Sequence, residues 1–440
     1  WQRESSTEQT DDGDAAGSAG AAQRGGVDLD PVGMGLLAVG TLLIMIPFME
    51  APAGTWIWGL EAAGIGVIGA WVAEMDLGTA PAVTAVLRRA VENGCLGYMP
   101  TGADRAAREA VASFHAQTFG WKVPVGDVSL LPNVLSALEA VIEHHTEPGS
   151  AVIVPTPAYM PFLSIPGRHG RECIQVPALH GSGTSGRPDW TLDLDRIEAA
   201  MAAGGGLLVL CNPWNPVGRV LEPAELDDVA SLSSRYRVPV FADEIHSSLV
   251  LDPEAVHTCY GSRSAAEDDL TFTATAVSKG WNIPGLMCAQ LIASGGARAS
   301  WEASAPSAHL ADEAAPLGAQ AVTAALSPEG LEWNRNVRDY IRGNVELVAE
   351  ALADIEEVRL TEPAGTYLAW LDCSGLSGLE RAEGMAPARF FRREPGVAMN
   401  PGAAFGQGYE RFCRLNLATS RGIASQIAQR LVGAIRGGRC

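Results

Sequence analysis

Residues 238–246 read VPVFADEIH: five apolar residues, then two carboxylates and, two positions on, a histidine. An apolar run without polar alternation suits a strand covered on both faces. The polar residues that follow at once mark its carboxyl end, where an open parallel sheet leaves a crevice for ligands. Working outward, the same layout recurs. AVIVP (151–155) runs into TPAYMPF, LLVLC (207–211) into NPWNPVGR, and LTFTATA (270–276) into VSKGWN, while AQLIA (289–293) is a fifth short apolar run. Helical stretches such as 223–235 separate several of them, so the pattern predicts an α/β domain with a mostly parallel sheet. Further helices are expected over 81–94, stopped by Gly94, and over 104–118 and 133–145. After about residue 310 come a long helix around 333–355, the run YLAWLD (367–372) and a closing helix from Ile423. That order predicts a second, smaller α+β domain.

Each strand end offers a different group: the ring of Tyr159, the amide of Asn215, the carboxylate of Asp243 with His246 beyond it, and the amine of Lys279 beside Ser278. A single Lys is ordinarily a solvated surface residue and a single Asp a helix cap. Four such groups at four successive strand ends outweigh that reading. Together they suit an aldehyde cofactor. Its partner amine must be able to lose a proton, and a Lys packed among apolar strands has its pKa lowered by desolvation. A pyridine ring serves as an electron sink only while its nitrogen stays protonated, which a buried carboxylate such as Asp243 enforces. Tyr159 can cover the ring face and Asn215 can donate to a phenolic oxygen. A phosphate is held by backbone N–H groups at a helix N-terminus. SLLPNVLSALEAV (129–141) reads as a turn running into a helix, with Asn133, Val134 and Leu135 as that cradle.

Composition narrows the remaining classes. The 440 residues carry 31 Lys plus Arg against 51 Asp plus Glu, a formal net charge of −20, which disfavours nucleic acid and anionic lipid as partners. Eight cysteines are scattered without a C-x-x-C pair and no H-E-x-x-H occurs, so no metal site is expected and a reducing, cytoplasmic setting fits. Residues 1–27 are small, polar and Gly-rich, a composition expected to be disordered. The uncharged run 31–49, PVGMGLLAVGTLLIMIPFM, reaches the ~18–20 residues of a membrane span. Acidic Asp28 and Asp30 precede it where a signal peptide carries bases. A membrane anchor there is the less favoured reading, beside a buried arm or a segment foreign to the native fold.

NPWNPVGR, DEIH, SKGWNIPGL and RLNLATSR, in that order, resemble the class I/II aminotransferase superfamily, fold type I of the pyridoxal-5′-phosphate (PLP) enzymes. WVAEMD (71–76), GYMPTG (97–102), PTPAYMPF (155–162) and WNIP (281–284) are most similar to its cystathionine β-lyase-type C–S lyase branch. The resemblance covers about residues 69–440. It implies a large PLP-binding domain over 69–310, with 69–95 open to either domain, a small domain over 311–440, and an unmatched 1–68. It implies that Lys279 carries the cofactor as a Schiff base and then acts as the base at the substrate Cα. Asp243 would pair with the pyridine nitrogen, and Asn215 and His246 would face the phenolic oxygen. Tyr159 would stack on the ring, Arg414 would hold the substrate α-carboxylate, and Tyr98 would reach the phosphate of the neighbouring subunit in a homodimer. The implied reaction is β-elimination on cystathionine or another cysteine S-conjugate, giving thiol, pyruvate and ammonia. Transamination is the alternative, and a degenerate PLP-binding protein the third reading. Three departures bear on it. Ala276 stands where a phosphate-binding Ser is common, Met287 where many relatives place a cation, and residues 1–68 lack the family's polar arm. The phosphate is then left to Ser278, Tyr98 and the backbone of Asn133 and Val134.

Overall fold

The computed structural model describes residues 66–181, 190–263, 271–376 and 385–437, so the expectations for 1–65, the apolar run included, lie outside the described residues. Seven strands form one sheet: β1 (Val128–Leu131), β2 (Ala151–Thr156), β3 (Cys173–Pro177), β4 (Gly205–Cys211), β5 (Val240–Asp243), β6 (Thr271–Thr275) and β7 (Ala289–Ile292). Their spatial order is β1-β7-β6-β5-β4-β2-β3. The neighbours from β6 through β3 pair in parallel, while β7 runs antiparallel to both β6 and β1. The sheet is thus mostly parallel, as the apolar runs predict. The stretch 129–131, expected as a turn, is strand instead. Val128, Leu130 and Leu131 are buried, and pairing with β7 (Leu131 opposite Ala289) satisfies the backbone.

Helices cover the sheet: α1 (Pro81–Glu92), α2 (Thr101–Phe119), α3 (Val134–His144), α4 (Met160–Arg168), α5 (Leu194–Ala202), α6 (Pro223–Tyr236), α7 (Gly295–Ala303), α8 (Ala305–His309) and α9 (Pro316–Ala325). The two sides carry separate apolar clusters, for example Leu208, Leu210 and Val240 on one, and Val152, Val209 and Phe241 on the other. This burial on both faces explains the uninterrupted apolar strands. Caps fix the helix starts: the Asn133 side chain accepts from Ser136 N at 2.9 Å, so α3 begins at the end of β1.

A second sheet of four antiparallel strands, in the order β8-β9-β11-β10, is built from β8 (Arg359–Thr361), β9 (Leu368–Asp372), β10 (Asn400–Pro401) and β11 (Phe412–Asn416). Three more helices accompany it: α10 (Pro328–Leu352), α11 (Pro387–Arg393) and α12 (Arg421–Arg436). α10 starts ahead of its expected position because Ser327 caps it by accepting from Gly330 N. Residues 68–76 join the two sheets. Ile68 and Gly69 pair with Val397 and Ala398, Asn416 N donates to Ala70 O at 3.0 Å, and Met75 N donates to Asn282 Oδ1 at 2.9 Å. Among the described residues no helix is long and apolar enough to cross a membrane.

Candidate active site

The strand ends of the large sheet converge as their sequence order suggests. A cavity of about 200 Å³ is lined by Asn133, Val134, Tyr159, Asn215, Asp243, His246, Ser278 and Lys279. With Leu135 also on the lining, ten of the eleven residues singled out from the sequence are therefore there or in contact with it, counting Arg414, whose Nη1 donates to Asn215 Oδ1 at 3.1 Å. Tyr98 is the exception. It is fully exposed on the loop between α1 and α2, as Leu96 on the same loop and Val91 on α1 are exposed, and does not line the cavity of its own chain.

Asp243 closes β5 with its carboxylate buried, and its Oδ1 accepts from Ile245 N at 3.1 Å. Desolvation pushes its pKa up to about 7, with Glu244 adding to the rise and Lys279 opposing it. Neighbouring Glu244 fastens the strand end. Its Oε1 accepts from Tyr260 N at 2.6 Å, and its Oε2 lies 3.2 Å from His257 Nε2. Cys259 brings its Sγ into the same buried cluster. Lys279 Nζ donates to Ala73 O at 2.8 Å. Desolvation lowers the Lys279 pKa, and Arg414 lowers it further, against the pull of Glu74 and Asp243. His246 is buried with Nδ1 unpartnered among the described residues, and desolvation, Lys279 and Arg414 push it down to about 3, so the ring is neutral. The Tyr159 ring meets Phe162 edge-on at 5.5 Å, and burial raises its phenol.

Among the described residues, buried Arg414 has no carboxylate partner within 4.0 Å. Its Nη2 donates to Asn400 Oδ1 (2.8 Å) and Trp71 O (3.0 Å), its guanidinium lies over Phe405 at 5.0 Å, and its Nε has no partner. Desolvation brings its pKa down to about 10. Such a guanidinium is a ready receptor for a planar anion. Sequence reasoning missed the residues that hold residues 71–76 against it. Tyr367 Oη donates to Ala73 O at 2.9 Å, Asn416 Nδ2 to Val72 O and Glu74 O at 2.6 Å each, and Asn282 Nδ2 to Met75 O at 2.8 Å. Asn282 and Asn416 stand inside motifs already quoted, but an amide that binds backbone leaves no spacing signature.

The donor set fits PLP. A buried carboxylate whose desolvation lacks compensation suits a cationic ring N–H, and a depressed lysine suits an aldehyde. With its Oδ1 taken by Arg414, Asn215 keeps Nδ2 as a donor. Asn133, Val134 and Leu135 at the start of α3 line the cavity, where helix N-terminal N–H groups suit a phosphate, while Ala276 and Met287 add no charge to its wall.

Comparison with known proteins agrees. The sequence model for aminotransferase class I and II matches residues 72–431. A cystathionine β-lyase of Corynebacterium glutamicum is 34% identical over 370 residues, covering 84% of this chain and 94% of that one. An aspartate aminotransferase of Pinus pinaster is 24% identical over 79% of this chain and 70% of its own. The crystal structure of a candidate PLP-dependent β-cystathionase from Corynebacterium diphtheriae superimposes with a TM-score of 0.76 at 34% identity, covering 84% of this chain and 93% of that one. A half-buried lysine beside a buried carboxylate and arginine on this fold, in a sequence matched almost from end to end of its described part, means that the chain belongs to the class I and II aminotransferase family of PLP-dependent enzymes.

Proposed function

We propose that this chain is a PLP-dependent carbon–sulfur β-lyase that cleaves cystathionine or another cysteine S-conjugate to a thiol, pyruvate and ammonia. The observation that carries this choice is the gap between relatives: cystathionine β-lyases are about a third identical to the chain, an aspartate aminotransferase about a quarter. When bound, PLP supplies a sink for the charge released at the substrate Cα. The remaining work falls to side chains. Arg414 takes the substrate α-carboxylate on its unpartnered Nε edge. Lys279, whose protonation is opposed by burial and by Arg414, removes the Cα proton as general base, and the β-sulfur departs with its bonding electrons. Asp243 would hold the ring nitrogen protonated, Asn215 and neutral His246 would serve the phenolic oxygen, and Tyr159 would cover the ring.

For the phosphate, we assign the N–H groups of Asn133 and Val134, Ser278, and Tyr98 of the partner subunit. Fully exposed Tyr98, with Val91 at 60% and Leu96 at 61% exposure, leaves three large apolar side chains in solvent within eight residues of chain, which a homodimer would cover. A cytoplasmic setting accords with the seven described cysteines, all of them free. The test is the absorbance spectrum of the purified protein with PLP, followed by addition of L-cystathionine. A visible band followed by release of pyruvate and thiol is expected. A band that bleaches without thiol release would replace the lyase by a transaminase, and no band would overturn both.

A further inference from the structure

A second cavity, of about 460 Å³, lies between α2, the chain following β5 and the first half of α10. Arg335, Arg338 and Arg342 all line it, three cations at helical spacing on one face of α10. Like charges so spaced repel, and the chain as a whole carries a net charge of −20, so their clustering calls for an anion. The acids nearby do not supply one in full. Asp339 pairs with Arg342 at 3.0 Å, Glu346 lies 3.7 Å from the same Arg342, and Asp252 accepts from Glu254 N at 2.9 Å. Among the described residues, Arg335 and Arg338 have no ion pair within 4.0 Å. Arg338 reaches only Val250 O, at 3.3 Å, and its Nε is buried without a partner. On the facing wall Ser248 is 7% exposed and its hydroxyl is also unpartnered. His257, the remaining titratable group on the lining, is held by Glu244.

We propose that this cavity binds a compact oxyanion, a phosphate or sulfate group either free or carried on a small metabolite. Arg335 and Arg338 supply the charge. Its walls touch the residue next to Lys279. Asn334 Nδ2 donates to Gly280 O at 2.9 Å, and a Cβ on Gly280 would fall 2.3 Å from Ser248 Oγ. Val250, whose carbonyl now occupies Arg338, follows His246 in the chain by four positions. An anion that draws Arg338 off that carbonyl therefore biases the backbone around both Lys279 and His246. The site is separate from the cavity at the strand ends and does not depend on which reaction occurs there.

The experiment is calorimetric titration of the cofactor-loaded protein with sodium phosphate, and separately with glycerol phosphate, against sodium chloride at matched ionic strength. Saturable binding of one anion per chain is expected. It should weaken at least tenfold in Arg338→Gln and in the exposed Arg335→Gln, which alters no described contact. Arg196→Gln, on the exposed face of α5, should leave it unchanged. Tighter binding of glycerol phosphate would identify a carried group, and equal binding the free ion. Failure of both probes to bind, or binding that Arg335→Gln leaves intact, would overturn the proposal.

Discussion

The two halves of the candidate active site are built on different plans. The half on the large sheet is made of side chains at strand ends: Tyr159, Asn215, Asp243 and Lys279 each follow a buried apolar run. The half toward the second sheet is made of backbone. The carbonyls of Trp71, Val72, Ala73, Glu74 and Met75 are gripped by Arg414, Asn416, Lys279, Tyr367 and Asn282. The first plan places chemical groups where the sheet cannot shift them. The second suspends a loop between two sheets, where each hydrogen bond is worth about 1 kcal/mol and together they set the loop's height over the cavity. The contrast separates chemistry from positioning, and substitutions can test whether the two are divided that cleanly.

The largest effect should come from Lys279, which, like Arg414, touches both halves and alone carries the amine. In Lys279→Ala, pyruvate release from cystathionine should fall by about 10⁴-fold, the loss of a positioned base. The fold should survive, since Tyr367 still donates to Ala73 O. Substantial turnover by this variant would remove the basis for calling the strand-end half the chemical one.

Asp243→Asn should cost about 10³-fold in activity through the same half. Its effect on stability has the opposite sign. Burial raises the Asp243 pKa to about 7, above its ordinary value near 4, so folding without cofactor favours the protonated carboxyl. That contribution is present below pH 4 and is lost as the pH rises through 7. Asn carries no charge and can still accept the hydrogen bond from Ile245 N. Cofactor-free Asp243→Asn should therefore be more stable than the parent by ~1–3 kcal/mol at pH 8, with the difference shrinking toward pH 5. Melting both proteins at the two pH values checks it. A variant less stable at pH 8 would mean that the carboxylate already has a compensating partner.

The same division decides what the sequence discloses. Two-sided burial imposes an apolar period on β2, β4, β5 and β6, and the residue that ends each run is exposed to reading by position alone. The antiparallel direction of β7 leaves no mark on its residues, because Ala289–Ile292 is as buried as its parallel neighbours. Val128–Leu131 is four residues long and abuts Pro132, so its composition suits a turn equally well until β7 supplies the partner. The carbonyl half is silent for a deeper reason. Every residue has a carbonyl, so nothing in WVAEMD distinguishes the oxygen of Ala73, which receives both Lys279 and Tyr367, from any other. Tyr367 itself opens YLAWLD, a run legible as strand, and its hydroxyl shows only once β9 is set beside residues 71–76.

Tyr367→Phe is accordingly the smallest and most discriminating change. It keeps the buried ring, which meets His246 edge-on at 6.1 Å, and removes only the hydroxyl that donates to Ala73 O. If residues 71–76 act by position, the loss is one neutral hydrogen bond among several, about 0.5–1.5 kcal/mol. The KM for cystathionine should then rise two- to tenfold while kcat stays within about twofold, because the loop that flanks Arg414 is looser but Lys279 keeps its own bond to Ala73 O and Asp243 is untouched. A kcat loss of 100-fold or more with KM unchanged would instead make the Tyr367 hydroxyl a participant in proton transfer. The loop half would then carry chemistry of its own, and the separation of chemistry from positioning would fail at the residue where the sequence gives least warning.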